Sequence, residues 1–164
     1  MSLDHRMADL YEACQLLSPI DPDYAKLSIE EGFNWSSCLD EACFDRLYVV
    51  VFRSVRRAAA DLDLLREHDD RAHAEAERAG GLLFYFKGLV NERRECLSFC
   101  LWENKEQARR ASGGASHRAA VRFAAEMYES YRLERYDLIK QGGSLLFRRH
   151  EEATPHGGAL DVST

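Results

Sequence analysis

Bulky apolar and small or polar residues alternate most sharply over Glu95–Trp102. Leu97, Phe99 and Leu101 fall on one side of an extended chain, and Cys96, Ser98, Cys100 and Trp102 on the other. That period of two predicts a strand with one bulky and one small face. Leu47–Arg53, an unbroken β-branched and aromatic run, predicts a second strand. Leu82–Leu89 predicts a third, and the polar turn Asn91-Glu92-Arg93-Arg94 joins it to Glu95–Trp102 as an antiparallel hairpin. Arg132–Ile139 reads as a fourth strand, and Leu145–Arg148 as a short fifth after Gly142-Gly143.

Between the strands the period changes to that of helices. Asp61 is suited to cap a helix whose inward face carries Leu62, Leu65, Asp69, Ala72, Ala76 and Ala79, and Gly80-Gly81 stops it. Another helix starts near Asn104 and breaks at Ser112-Gly113-Gly114. It resumes with Ser116 as N-cap and His117, Ala120, Ala124, Met127 and Tyr131 on one face. The order β-α-β-β-α-β predicts an α+β, ferredoxin-like domain over residues 46–150, with both helices on one face of an antiparallel sheet. The other face, with Leu97, Phe99 and Leu101, is left bare and needs a cover. A second copy paired sheet to sheet supplies one. The N-terminal segment is the competitor.

Residues 1–45 hold that segment. Met7, Leu10, Tyr11, Cys14 and Leu17 recur at helical spacing until Pro19 and Pro22, and a strap with the aromatic pair Phe33 and Trp35 follows. Residues 151–164 are small and polar and predict a loose tail.

Composition narrows the function classes. With 164 residues, 46% of them hydrophobic and 30% charged, the chain suits one domain with a real core. A net charge of −6 argues against nucleic acid as a partner. The run around Val49-Val50-Val51 is too short to cross a membrane, and the N-terminus lacks a signal-peptide core, so the expectation is cytoplasmic. The five cysteines include no Cys-x-x-Cys. Cys96 and Cys100 on one strand stand roughly 13 Å apart, too far for a disulfide. Reduced thiols fit a cytosolic protein.

Candidate chemistry centres on the small face of the third strand. Space lined by Cys96, Ser98 and Cys100, closed at one end by Trp102, is either a pocket or a bed for close-packed alanine-rich helices. Three histidines are candidates for that space: His117 on the inward face of its helix, His73 at the edge of the inward face of the earlier helix, and His68 one and a half turns before it. His117 sits in the first turn of its helix, where the dipole disfavours a charged imidazole. A neutral imidazole can accept or donate a proton, and it can equally be satisfied by a backbone carbonyl. Asp69-Asp70 is an acidic pair, but neighbours on a helix diverge by about 100° and do not share a metal. No residues have metal-ligand spacing, so no metal is expected. Arg53, Arg56 and Arg57 flank a strand end, either as a solvated basic patch or as an anchor for a carboxylated substrate. The sequence carries no phosphate loop, dinucleotide fingerprint, Gly-x-Ser-x-Gly elbow or His-Glu-x-x-His helix.

The stretch from Cys96 to Tyr136 resembles the second half of the dimeric α+β barrel proteins, the superfamily of the antibiotic-biosynthesis monooxygenases. The resemblance covers roughly 46–148. It rests on the strand pattern, on Trp-Glu-Asn-Lys-Glu at Trp102–Glu106 and on Ser116-His117-Arg118-Ala119-Ala120. FNWSSCL, FKGL and CLSFCLW resemble a branch with an N-terminal extension. The superfamily includes cofactor-free quinone-forming oxygenases, haem degraders, polyketide cyclases and proteins without known activity. The resemblance therefore implies a homodimer with a cleft for a small hydrophobic or aromatic molecule, and cofactor-free oxygenation or cyclisation of an aromatic or polyketide-like compound. His117 is then the acid–base residue and Trp102, with Phe86 or Tyr85, the walls; Ser98, Cys100 and His73 complete the pocket. A non-catalytic ligand-binding or interaction dimer is the alternative. Haem is the one cofactor to weigh: haem degraders use an Asn, a Trp and a His, but Leu47–Arg53 has no asparagine. Asn34 substitutes only if the strap folds over the cleft.

Overall fold

In the computed structural model, residues 3–151 are described, without the side chains of residues 3, 4, 116, 117, 120 and 121. The expected tail beyond Glu151 lies outside the described residues. β1 (Arg46–Arg56) runs through the middle of one sheet with β2 (Leu82–Phe86), β3 (Glu95–Trp102), β4 (Tyr128–Gln141) and β5 (Ser144–Arg149). Their order is β2-β3-β1-β4-β5, and every neighbouring pair is antiparallel. The first four strands have the ferredoxin-like arrangement, and β5 extends the β4 edge. The fold is α+β, as the strand order implies.

The helices are α1 (Leu3–Cys14), α2 (Trp35–Leu39), α3 (Leu62–Ala79), α4 (Lys105–Ser112) and α5 (Ala115–Met127). Asp61 caps α3 by accepting from the N–H groups of Asp63 and Leu64. The chain leaves α3 through Gly80 and Gly81, both at φ 81°, where a side chain would be strained. Asn104 caps α4. α5 begins two residues earlier than expected, at Ala115 with Gly114 as N-cap, so Ser116 is inside the helix. β4 begins at Tyr128, so Tyr131 is a strand residue and not the last turn of a helical face. β2 ends at Phe86, short of the expected Leu89. At Gly88 a Cβ would lie 1.9 Å from the carbonyl oxygen of Leu97, so only glycine permits the approach to β3.

The N-terminal segment covers the bulky face of the sheet. Leu97, Phe99 and Leu101 are each 0% exposed within the single chain, in one cluster with Leu10, Ile29, Phe33, Trp35 and Leu39. The Phe99 ring lies 5.0 Å from Phe33, 5.2 Å from Trp35 and 5.5 Å from Phe86. Burial of such rings is worth about 1.5–3 kcal/mol each. Polar contacts fix the strap in register. Arg53 donates to the carbonyls of Ala25 and Leu27 and to Glu134, at 2.7–2.9 Å. Lys140 Nζ donates to the carbonyls of Leu39, Asp40 and Ala42. This corrects one expectation: the sheet face assigned to a second copy is already occupied by the chain itself. A sheet-to-sheet dimer through Leu97, Phe99 and Leu101 would have to displace that cover.

α3, α4 and α5 lie on the opposite face. At its β3–β1 end, Ala76, Ala108 and Ala111 pack closely on Tyr48 and Trp102. Farther along, α3 stands away from the sheet: none of its 18 residues is buried.

Candidate functional site

The space under α3 follows from the alternation of the strands. Even-numbered residues of β1 and β3 point toward the helices: Tyr48, Val50, Phe52, Ser54 and Arg56 on one, Cys96, Ser98, Cys100 and Trp102 on the other. Cross-strand rows make the floor. Tyr85 pairs with Cys100, Cys100 with Val50, and Val50 with Arg135. Two rows farther on, Cys96, Ser54 and Tyr131 lie side by side. Small side chains in the middle leave a cleft of about 1180 Å³ roofed by α3 and α5. That is room for a multi-ring molecule, since sites for small ligands typically occupy about 300–1,000 Å³. Tyr48 and Trp102 close one end. Arg56 and Tyr128 stand at the other, roughly 26 Å away along β1.

The roof rests on polar struts. The Tyr85 hydroxyl donates to Asp69 Oδ1 at 2.8 Å. Lys87 Nζ lies 2.9 Å from Asp69 Oδ2 and 2.9 Å from Asp70 Oδ1. The adjacent acids that cannot share a metal thus share a long ammonium, whose hydrogen bond, and then its charge, lowers the pKa of Asp70. The His73 ring lies 4.7 Å from Tyr85, and its Nε2 is 3.3 Å from Glu77. His68 lies 4.4 Å from Phe123 of α5. On the floor, Ser98 Oγ accepts from the N–H of Gly88 at 3.0 Å, and Cys96 Sγ donates to the Gly88 carbonyl at 3.5 Å.

Burial in this apolar space, followed by the negative charge of Asp69, pushes the Cys100 thiol far up. Burial likewise raises Cys96, Tyr85, Tyr128 and Tyr131. These thiols and phenols therefore stay protonated at neutral pH, as donors and walls and not as nucleophiles.

Trp102, Tyr85, Ser98, Cys100 and His73 all line the cleft. Phe86 does not: it pairs with Phe99 in register and packs on Tyr24 and Phe33, on the strap face. The period of two within β2 separates it from Tyr85. His117 belongs to α5, but its side chain lies outside the described residues. Arg53 turns to the strap, whereas Arg56, an odd number of residues on, turns to the cleft. Sequence reasoning passed over Lys87, Tyr128, Arg135 and His150 and gave Tyr131 to a helical face; all five line the cleft. Tyr128 and Tyr131 were recoverable from their strand-forming tendency. His150 follows the last strand and reaches the cleft only because β5 pairs with β4.

Asn34 accepts from the N–H of Ser18 and donates to the Leu16 carbonyl, on the strap side of the sheet. The asparagine, tryptophan and histidine set of a haem site is therefore not gathered in this cleft. Among the described residues no group of three or more His, Cys, Asp or Glu could hold a metal ion, and no helix is long and apolar enough to cross a membrane.

The PB2B2.08-like family matches residues 1–148, the strap included. The chain is 33% identical over 109 residues to UPF0643 protein PB2B2.08 of Schizosaccharomyces pombe (strain 972 / ATCC 24843), covering 62% of this chain. It spans about half of that relative's length (50%). Among solved structures, a candidate antibiotic biosynthesis monooxygenase from Caulobacter crescentus CB15 superposes with a TM-score of 0.51 at 15% identity, over 59% of this chain and 93% of that one. SnoaB, a cofactor-independent oxygenase from Streptomyces nogalater, superposes with a TM-score of 0.43 at 13% identity, over 55% and 91%. At such identity the first likeness bears on the fold, which is that of the antibiotic-biosynthesis-monooxygenase-like proteins.

Proposed function

The chain belongs to the PB2B2.08-like family, and from that premise we propose that its helix-face cleft binds an aromatic or polyketide-like small molecule and acts on it without a cofactor, by oxygenation or cyclisation. The observation that carries this reading is the cleft itself: about 1180 Å³ of aromatic-walled space beneath a helix that buries none of its residues. Trp102, Tyr85 and Tyr131 are its walls, Ser98 and Cys100 its floor, and His73 part of its roof. His117 is the acid–base residue in this proposal. A protonated thiol and phenol set suits it, because proton transfer is then left to an imidazole. The same set also favours a second reading, a non-catalytic binding protein, since among the described residues no activated nucleophile stands in the cleft.

Homodimer formation and cytoplasmic residence belong to the proposal too. Five free cysteines support a reducing compartment. The outer edges of β2 and β5, unpaired with any other strand among the described residues, support association at a sheet edge.

The test uses multi-ring phenols with wild type and His117→Ala. Tryptophan fluorescence reads binding; oxygen uptake and product chromatography read turnover. The expected outcome is binding retained within about threefold and turnover reduced about 10²–10⁴-fold, the usual worth of acid–base help. Turnover unchanged in the variant removes His117. Binding without turnover in wild type moves the protein to the second reading. No binding to wild type removes the cleft from any small-molecule role.

A further inference from the structure

The charge of the cleft does not match the charge of the chain. The whole chain carries −6, yet eight Lys or Arg residues line the cleft against two carboxylates, Asp69 and Glu151. Some of the cations are neutralised by acids. Lys87 is held between Asp69 and Asp70, Arg66 pairs with Asp63, and Arg109 pairs with Glu106. Arg56 is in a different position. It ends β1 on the cleft side, and among the described residues it has no ion pair. Its Nε is buried and has no hydrogen-bond partner.

A buried guanidinium N–H without an acceptor is costly, and more so because the group is charged. The surrounding groups do not relieve it. Glu129, at the adjoining end of β4, is taken by Arg94, whose Nη1 also donates to the backbone carbonyl of Arg56. Arg57 turns away to the end of α5, where its Nε donates to the Ala125 carbonyl at 3.3 Å. The Tyr128 and Cys96 side chains near Arg56 stay protonated, since burial outweighs the pull of its charge on both. Arg56 therefore presents an unmatched positive charge at one end of an aromatic trough whose other end is closed by Trp102.

We propose that the cleft takes an organic carboxylate, its apolar body lying along the trough toward Trp102 and its carboxylate accepting from Arg56. The planar fork of a guanidinium matches the two oxygens of a carboxylate. The inference rests on the small-molecule reading of the cleft and adds the charge class of the ligand.

The probes are naphthoate and naphthamide, equal in shape and different in charge. Each is titrated into the full chain by calorimetry at low salt and again at about physiological ionic strength, where the Debye length is about 8 Å. Naphthoate is expected to bind about tenfold tighter than naphthamide, with only the acid weakened by salt. In Arg56→Gln the preference falls to within about twofold, and naphthamide binding is unchanged. Arg56→Lys keeps part of it, because an ammonium supplies charge but not the fork. The thermal midpoint of each variant is recorded, so that loss of fold is separated from loss of the anchor. Equal binding of the two probes to wild type overturns the carboxylate inference and leaves the small-molecule cleft standing. Full preference in a folded Arg56→Gln overturns Arg56 as the anchor. No binding of either probe overturns both the inference and the reading beneath it.

Discussion

On the strap face of the sheet, Phe99 touches rings from four directions and is out of reach of solvent. One residue further along β3, half-buried Cys100 lines the helix-face cleft beside its packed Trp102 end. Both faces arise from the same strands. What differs is the covering layer. The strap is an irregular, aromatic-bearing segment that follows the sheet closely, so residues as large as Trp35 fill the gap. α3 is a rod set on polar struts; it packs on the sheet at the Ala76 end and spans the cleft beyond it. The strap face is built for cohesion and the helix face for occupancy.

Truncations on the two faces test that difference most directly. Phe99→Ala empties a fully packed position and is expected to cost about 3–5 kcal/mol in urea unfolding. Cys100→Ala only enlarges an existing void and is expected to cost under about 1 kcal/mol. Equal losses would break the distinction.

A smaller effect sharpens it through pH. Glu134 is 4% exposed and holds Arg53, which in turn holds the strap. Burial alone would raise its pKa, but the Tyr136 hydroxyl and the charges of Arg53, Arg132 and Arg149 bring it below the ordinary 4.5. A depressed carboxylate stabilises the fold in full above about pH 4.5 and loses that contribution as the pH falls through the folded value. Glu134→Gln is expected to lower stability at pH 7 by about 3 kcal/mol, because it leaves Arg53 largely buried without its counter-ion. The variant's loss should shrink in unfolding curves taken toward pH 3. The smallest effect belongs to the struts. Tyr85→Phe removes the hydrogen bond to Asp69 and is expected to cost about 1 kcal/mol in urea unfolding. It should also speed amide exchange along α3 while leaving the strap unchanged.

These contrasts explain what could be read from the sequence. The alternation in β3 was plain because it is local, and Asp61 and Gly80-Gly81 marked both ends of α3 for the same reason. The start of β4 was not: Ala124, Met127 and Tyr131 continue a helical spacing past Met127, and only pairing with β1 across more than 70 residues turns Tyr128–Arg132 into strand. Which face the strap covers was also a long-range matter, settled by Phe33 and Trp35 meeting Phe99. The cleft lay between two readings, pocket and close packing, and both are present. The alanines Ala76, Ala108 and Ala111 pack tightly at the Trp102 end. The open part depends on the height of α3, which the contacts of Tyr85 and Lys87 with Asp69 set. Trp102, Tyr85, Ser98, Cys100 and His73 line the cleft, Phe86 is on the opposite face, and Arg56 became distinguishable from Arg53 once β1 had a register.

Because the strap is tethered to the sheet it covers, dilution cannot separate the two. A sheet covered by a second molecule loses its cover below the dissociation constant, whereas a tethered cover stays at a fixed effective concentration however scarce the protein is. The integrity of the strap-face core is accordingly set by intramolecular terms alone, and a cell holding only a few copies of this chain would still hold that face closed.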